Sequence, residues 1–201
     1  MASSLMHLAI AEKLTDEIQN PELFRLGCVL VDAGGQQSHY RALAADGRKF
    51  YDLERFRTEH RDRLPVDDFA LGYYLHLVQD MLYRTFVYLE HGWNPRLPGN
   101  VERLYNDYRL LNTRLGGECG LQPLSLPGNL AGHPLLPDRA ESFLADMLPQ
   151  FEPYCEGEYF FLTPAMADEY IDRAATLCLR ELRALRGEGV PVNPMDYAYG
   201  G

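Results

Sequence analysis

Two polar residues interrupt the longest apolar stretch of the chain: FALGYYLHLVQDMLYRTFVYL, residues 69–89, carries His76 and Asp80 one helical turn apart. At i and i+4 an imidazole and a carboxylate share one face of a helix, and in a segment apolar nearly all round they would be buried side by side. Burying both without partners costs roughly several kcal/mol. Two arrangements answer that cost: a divalent ion on which the two side chains converge, or an internal His–Asp hydrogen bond that braces the core. His7 is a second histidine on an apolar helix face, where a ligand role and a satisfied core histidine are both open. Asp32 and His39 lie on either side of a Gly34-Gly35 turn, which suits a site and equally suits a capped turn. Taken together, three of the six histidines and two carboxylates could converge between the helices of a bundle, the architecture in which helical proteins build metal sites.

The other polar residues read differently. His60 sits in the charged string EHRDR and is expected to face solvent, and His91 follows a helix end and its terminal carbonyls. His133 lies in a Gly- and Pro-rich segment, as a further ligand or an exposed loop residue. Asp107 and Asn112, in YNDYRLLN, belong to a site or to a helix surface on which Arg103 and Arg114 could pair with Asp107.

The elements that must position these residues are helical. His7, Ile10, Ala11, Leu14 and Ile18 mark one face of a first helix, capped by Ser3 or Ser4. Asn20 and Pro21 break it, and PELFRLGCVL forms a second, ending before Val31. Asp52 caps a short charged helix through Arg63, Pro65 ends it, and the central buried helix runs over 66–90. Val101, Leu104, Tyr108, Leu111 and Leu115 define another helix, which Gly116 and Gly117 are expected to stop. Residues 116–137 have no clear period and read as an excursion over the surface or over a site, a candidate lid. Helices over 138–150 and 164–186 follow, the last with Tyr170, Ile171, Ala174, Leu177, Cys178 and Leu185 turned inward. Strand alternation is confined to a weak EYFFL at 158–162. The pattern predicts an all-α single domain over residues 1–201.

Composition narrows the function classes. The chain of 201 residues carries 29 Asp plus Glu against 19 Lys plus Arg, a formal charge of −10 that opposes a nucleic-acid duplex as partner. Cys28, Cys119, Cys155 and Cys178 show no CxxC spacing, which speaks against disulfides and zinc–thiolate sites. The apolar stretch at 69–89 is long enough to span a bilayer but has His76, Gln79, Asp80 and Arg84 inside it, so no transmembrane segment is expected. With no basic n-region or cleavage site, the chain is expected to start at Met1 and to be cytoplasmic.

MHLAIA near the start, GCVLVDA with Asp32, SHY with His39, YDLERF, GYYLHLVQD with His76 and Asp80, and YNDYRLLN together resemble short bacterial members of the zinc-dependent phospholipase C family. The likeness spans residues 4–112, and the ordered series His7, Asp32, His39, His76, Asp80 is its most specific part. The family is related to the P1 and S1 nucleases. The resemblance implies a phospholipase C / P1 nuclease-like all-helical fold and a zinc cluster that cleaves phosphate esters. Carried over residue by residue, it implies that Asp32, His39, His76 and Asp80 hold one zinc and that His7 with a bridging Asp80 holds a second. Val31 stands where many relatives have Pro, and the His, His and Glu set that completes a three-zinc site has no clear match after Asp80; one or two ions are therefore implied.

Two functional readings follow. The first is a zinc-dependent hydrolase of a small-molecule phosphate ester or phospholipid headgroup, with metal-activated water as nucleophile and Asp32 orienting or deprotonating it. The second is a non-catalytic helical protein that keeps a metal or a buried polar cluster for structure, or binds a partner through its acidic surface. Helical phosphohydrolases with an adjacent His-Asp pair are disfavoured, since no His is followed directly by Asp.

Overall fold

Apolar side chains on every side of residues 69–83 drive that segment to the middle of the molecule, and in the computed structural model every residue from 69 to 83 is buried. The structure describes residues 2–200; Met1, on which the expected start of the chain rests, and Gly201 lie outside the described residues. Around the central helix α4 (Asp68–Arg84) stand α1 (Ser4–Glu12), α2 (Pro21–Leu30), α3 (Leu53–Glu59), α5 (Asn100–Glu118), α6 (Ala140–Met147) and α7 (Pro164–Leu185). One antiparallel hairpin, β1 (Arg41–Leu43) and β2 (Lys49–Tyr51), is the only sheet among the described residues. The architecture is mostly helical, as the periodicity predicts.

Helix α4 starts where Asp67 accepts the Phe69 and Ala70 N–H groups, each at 3.1 Å, satisfying two donors that the helix itself leaves unpaired. Leu75, Leu77 and Val78 are fully buried, each stabilising the fold by about 1.5–3 kcal/mol. Its closest neighbour is α2, and glycines explain the approach. A Cβ on Gly27 would stand 2.2 Å from the Phe69 carbonyl oxygen, and one on Gly72 would stand 2.2 Å from that of Phe24. Two glycines face each other where the helices cross, so the usual helix-interior penalty of about 1 kcal/mol each is offset by backbone contact that no other residue permits. This crossing sets the height of the loop after α2 against the middle of α4.

Several expectations are corrected. The predicted helix over 66–90 keeps α-geometry only to Arg84 and continues as a π-helical turn, Thr85–Glu90. Gly116 and Gly117 do not stop α5; the helix ends at Glu118, ahead of Gly120 with φ 62°. EYFFL forms no strand, because the backbone N–H groups of Phe160, Phe161 and Leu162 all turn onto the Asp107 carboxylate. The first helix stops at Glu12, with Thr15–Glu17 as a separate turn. The hairpin lacks the long alternation by which strands are read from sequence; its three-residue strands are too short to show a period. The segment after α5 packs down, one of the placements the sequence left open: Leu121 and Leu130 are buried, and His133 Nε2 bonds Asp67 Oδ2 at 2.8 Å. Among the described residues no helix is long and apolar enough to cross a membrane.

Candidate metal centre

Four short pieces of chain meet at the α2–α4 crossing. Helix α1, buried over residues 4–11, brings His7. The turn Asp32–Gly34 that follows α2 brings Asp32, and the turn Gln37–His39 brings His39. One face of α4 brings His76 and Asp80. Tyr40, the next residue, sits at φ 49°, the only non-glycine residue with positive φ among those described. That left-handed conformation, strained for a bulky side chain, reverses the chain so that His39 points inward while Arg41 begins β1. Tyr40 is held there by its hydroxyl, 2.9 Å from Glu59 Oε2 and 3.0 Å from His60 Nε2, and by its carbonyl, which accepts the Asp52 N–H.

The five candidates form one cluster. His39 Nε2 lies 3.2 Å from Asp32 Oδ1 and 3.6 Å from Asp80 Oδ2; His76 Nε2 lies 3.8 Å from Asp32 Oδ1 and 4.0 Å from Asp80 Oδ2; His7 Nε2 lies 3.8 Å from Asp80 Oδ1. The His7 and His76 rings stack at 4.1 Å. His7, His39, His76 and Asp80 are at most 1% exposed, and the Asp32 side chain, at 11%, alone reaches solvent.

The outer ring nitrogens decide what the inner ones present. His7 Nδ1 is 2.7 Å from Gln79 Oε1, His76 Nδ1 is 2.8 Å from the Cys28 carbonyl and His39 Nδ1 is 2.8 Å from the Gly35 carbonyl. Each partner is an acceptor, so each Nδ1 carries the proton and each Nε2 turns a lone pair into the cluster. Three imidazole lone pairs and two carboxylates then face one another. The only hydrogen-bond donor that the described residues direct at Asp80 is the Tyr51 hydroxyl, 3.2 Å from Oδ2. His7 Nε2, His76 Nε2 and Asp80 Oδ1 are buried with no hydrogen-bond partner among the described residues.

Electrostatics keep this arrangement ready for a cation. Burial, followed by the neighbouring His7, lowers the His76 pKa to about 4, so the ring is neutral at neutral pH. For Asp32, burial pushes the pKa up, but the neighbouring His76 and His39 outweigh it and the carboxyl stays below its usual range. Asp80 shows the same balance: burial raises its pKa, the surrounding His76, His7 and His39 among other groups lower it, and the carboxyl is held below its usual range. The Tyr51 hydroxyl is pushed up by burial and by the Asp80 charge, so it remains a donor.

The donor set fits a zinc-sized ion. Ligand atoms at 2.0–2.2 Å from a tetrahedral centre stand about 3.4 Å apart, close to the inner distances here. His7, His76 and Asp80 make one group within ligating reach, and Asp32, His39 and His76 make another. The two Asp80 oxygens face His7 on one side and His39 and His76 on the other.

The remaining polar residues lie elsewhere. His91 is exposed and packs on Phe86, its ring 4.4 Å away. His60 is also outside the cluster, but it does not simply face solvent: it is half-buried against Phe56 and bonded to Tyr40. His133 belongs to Asp67. Asp107 is fully buried under the 160–162 turn rather than paired with arginines on the surface, and Asn112 is buried, accepting from Ser3 Oγ at 2.8 Å. His39 is 1% exposed because Tyr40 turns it inward. Tyr51 and Gln79, which hold Asp80 and His7, carry no metal-ligand signal in their residue type; for Gln79 the one hint was a polar side chain on the face of an apolar helix.

The fold and the cluster define a class, a mostly helical protein with three histidines and two aspartates gathered where two glycine-crossed helices meet. Comparison with protein-family models, with curated proteins and with solved structures finds no match for the chain.

Proposed function

We propose that the chain is a zinc-dependent hydrolase of phosphate esters of the phospholipase C / P1 nuclease type, acting on small phosphate esters, phospholipid headgroups included. The observation that carries this reading is the inward set of acceptors: His7, His39 and His76 present Nε2 lone pairs to the Asp32 and Asp80 carboxylates, and a cation is what reconciles them. Asp32, His39, His76 and Asp80 would hold one zinc, and His7 with Asp80 a second. Bound zinc supplies Lewis acidity that offsets phosphoryl charge and brings the pKa of water towards about 7. Asp32 has the exposure to meet a substrate water. Its depressed pKa makes it a weak proton acceptor and suits it to orienting that water. Tyr51 steadies the Asp80 carboxylate from outside the ring of histidines. The four cysteines, all unpaired, fit the reducing cytoplasm as its location.

Metal analysis of the purified protein, combined with a screen of generic phosphomonoesters and phosphodiesters, tests this. Zinc bound and an ester turned over, with both lost in His39→Ala and Asp80→Asn, is the expected result; metal held at full stoichiometry in both variants overturns it. One observation favours a second reading, a metal held only for structure: four of the five residues are at most 1% exposed. That reading predicts zinc binding with no turnover of any ester.

A further inference from the structure

Of the buried polar atoms that lack a hydrogen-bond partner among the described residues, three stand in one row: Gln79 Nε2, His7 Nε2 and Asp80 Oδ1. His7 joins the other two. Its Nδ1 is 2.7 Å from Gln79 Oε1, and its Nε2 is 3.8 Å from Asp80 Oδ1. All three residues are fully buried, where a polar atom left unpaired forfeits its hydration with nothing in return. A cation between His7 and Asp80 serves two of the three atoms and leaves Gln79 Nε2 as it is.

Gln79 differs from the groups that hold the other two histidines. His39 and His76 set their Nδ1 protons against the Gly35 and Cys28 carbonyls, and a backbone carbonyl only accepts. Ser38 Oγ, 3.1 Å from the same His39 nitrogen, lies 2.7 Å from the Val31 carbonyl and donates its own proton there. An amide side chain accepts at one end and donates at the other. The Gln79 backbone is pinned, its carbonyl accepting the Tyr170 hydroxyl at 3.1 Å, but the terminal torsion of a glutamine is soft and roughly twofold. Half a turn exchanges Oε1 and Nε2 with almost no change in volume. Nε2 then donates to His7 Nδ1 and the His7 proton sits on Nε2, aimed at Asp80 Oδ1, which a movement of about 0.6–1 Å brings into hydrogen-bond range. Oε1 in turn meets the Cys28 and Cys178 thiols that border the amide; burial pushes both thiols well up, so both stay S–H donors. The imidazole exchanges one tautomer for the other without a change of charge, and three orphaned atoms gain partners together.

We infer that Gln79 is a positioning residue that gates the second ion. With its oxygen toward His7 it presents the Nε2 lone pair to a cation beside Asp80; with its nitrogen toward His7 it makes His7 a donor to Asp80 and closes that position. The ion held by Asp32, His39 and His76 has no such switch. This rests on the zinc-dependent reading above and adds a control on how many ions the centre holds.

Long-range proton–nitrogen NMR of protein labelled with 15N-histidine, recorded through a zinc titration, tests it, the His7 signals being those absent in His7→Gln. The metal-free wild type is expected to carry the His7 proton on Nε2 and to move it to Nδ1 as the second equivalent of zinc binds. His39 and His76 should hold theirs on Nδ1 throughout. Zinc affinity measured on variants gives a second readout. Gln79→Glu, whose carboxylate only accepts, should show His7 protonated on Nδ1 before any metal is added and bind the second ion about tenfold or more tighter than the wild type. Gln79→Met, of similar volume and without that acceptor, should bind it about tenfold or more weaker, and neither should change the first ion. If Gln79→Glu fails to fold around its added charge, the wild-type spectra and Gln79→Met carry the test. One His7 tautomer throughout the titration, or loss of both ions alike in Gln79→Met, overturns the gate. A wild type that binds both ions and moves the His7 proton, yet turns over no ester, overturns the hydrolytic reading and upholds the gate.

Discussion

Asp107 and Asp80 are both fully buried, yet Asp107 accepts three backbone N–H groups, at 2.7–2.9 Å from Phe160, Phe161 and Leu162, whereas among the described residues Asp80 has one tyrosine hydroxyl and an oxygen with no donor. Glu181 follows the first pattern: it accepts from the Tyr74 hydroxyl at 2.5 Å and from the Val192 N–H, with Arg57 at 3.6 Å. Where this fold buries a carboxylate for structure, it surrounds it with donors. Around Asp80 it places three histidines whose donors all point away. The difference separates a carboxylate that ties loops together from one that, under the proposed function, would hold a cation.

Zinc breaks or upholds that contrast with the largest expected effect. Thermal unfolding with zinc at a thousandfold excess over its Kd should show about 4 kcal/mol of added stability in the wild type and in Asp107→Asn, and none in Asp80→Asn or His39→Ala; an equal gain in Asp80→Asn would erase the distinction. Gly72→Ala comes next. Its Cβ would meet the Phe24 carbonyl at 2.2 Å, so parting α2 from α4 should cost about 3 kcal/mol and, by moving His76 away from the Cys28 carbonyl, also reduce zinc uptake. Denaturant melts and metal analysis of one preparation read both.

Acid should reveal the cluster without any metal. The unfolded chain takes up the His76 proton near pH 6.5 and the folded one only near 4, so the metal-free protein is fully stable with respect to this group above pH 6.5. It should lose stability, on the order of 3 kcal/mol, as pH falls from 6.5 to 4. Asp32 and Asp80, whose pKa values are depressed in the fold, contribute above the usual carboxylate range and are lost below it, in the same direction at lower pH. A His76→Gln variant with an unchanged profile between pH 6.5 and 4 would refute this assignment. Asp107→Asn should cost about 2 kcal/mol by weakening bonds to the 160–162 turn while leaving zinc uptake intact. Smallest are the bystanders. His60→Ala should cost about 1 kcal/mol through its bond to Tyr40, and His91→Ala should stay within about 0.5 kcal/mol, neither changing metal content in a zinc titration.

What could be read from the chain alone was the part governed by local period and residue chemistry. The buried central helix, the inward face of α7, the Asp52 cap and the i, i+4 placement of His76 and Asp80 follow from spacing of 3.6 residues and from the cost of polar groups in an apolar run. The choice of His7, Asp32 and His39 rested on residue type and on a family likeness, and the folded chain sets all three beside His76 and Asp80. Tertiary structure decided the rest. Gly27 and Gly72 look like helix weaknesses in sequence and become the contact between α2 and α4 only once the two helices cross. Asp107 looks like a surface residue on a helix, and only the return of the chain at 160–162 supplies its donors. The roles of Gln79 and Tyr51 depend on partners 72 and 29 residues away. Hydrogen-bond donors and charges find one another through space, and a linear pattern records only the neighbours that a helix or a strand brings back at a fixed interval.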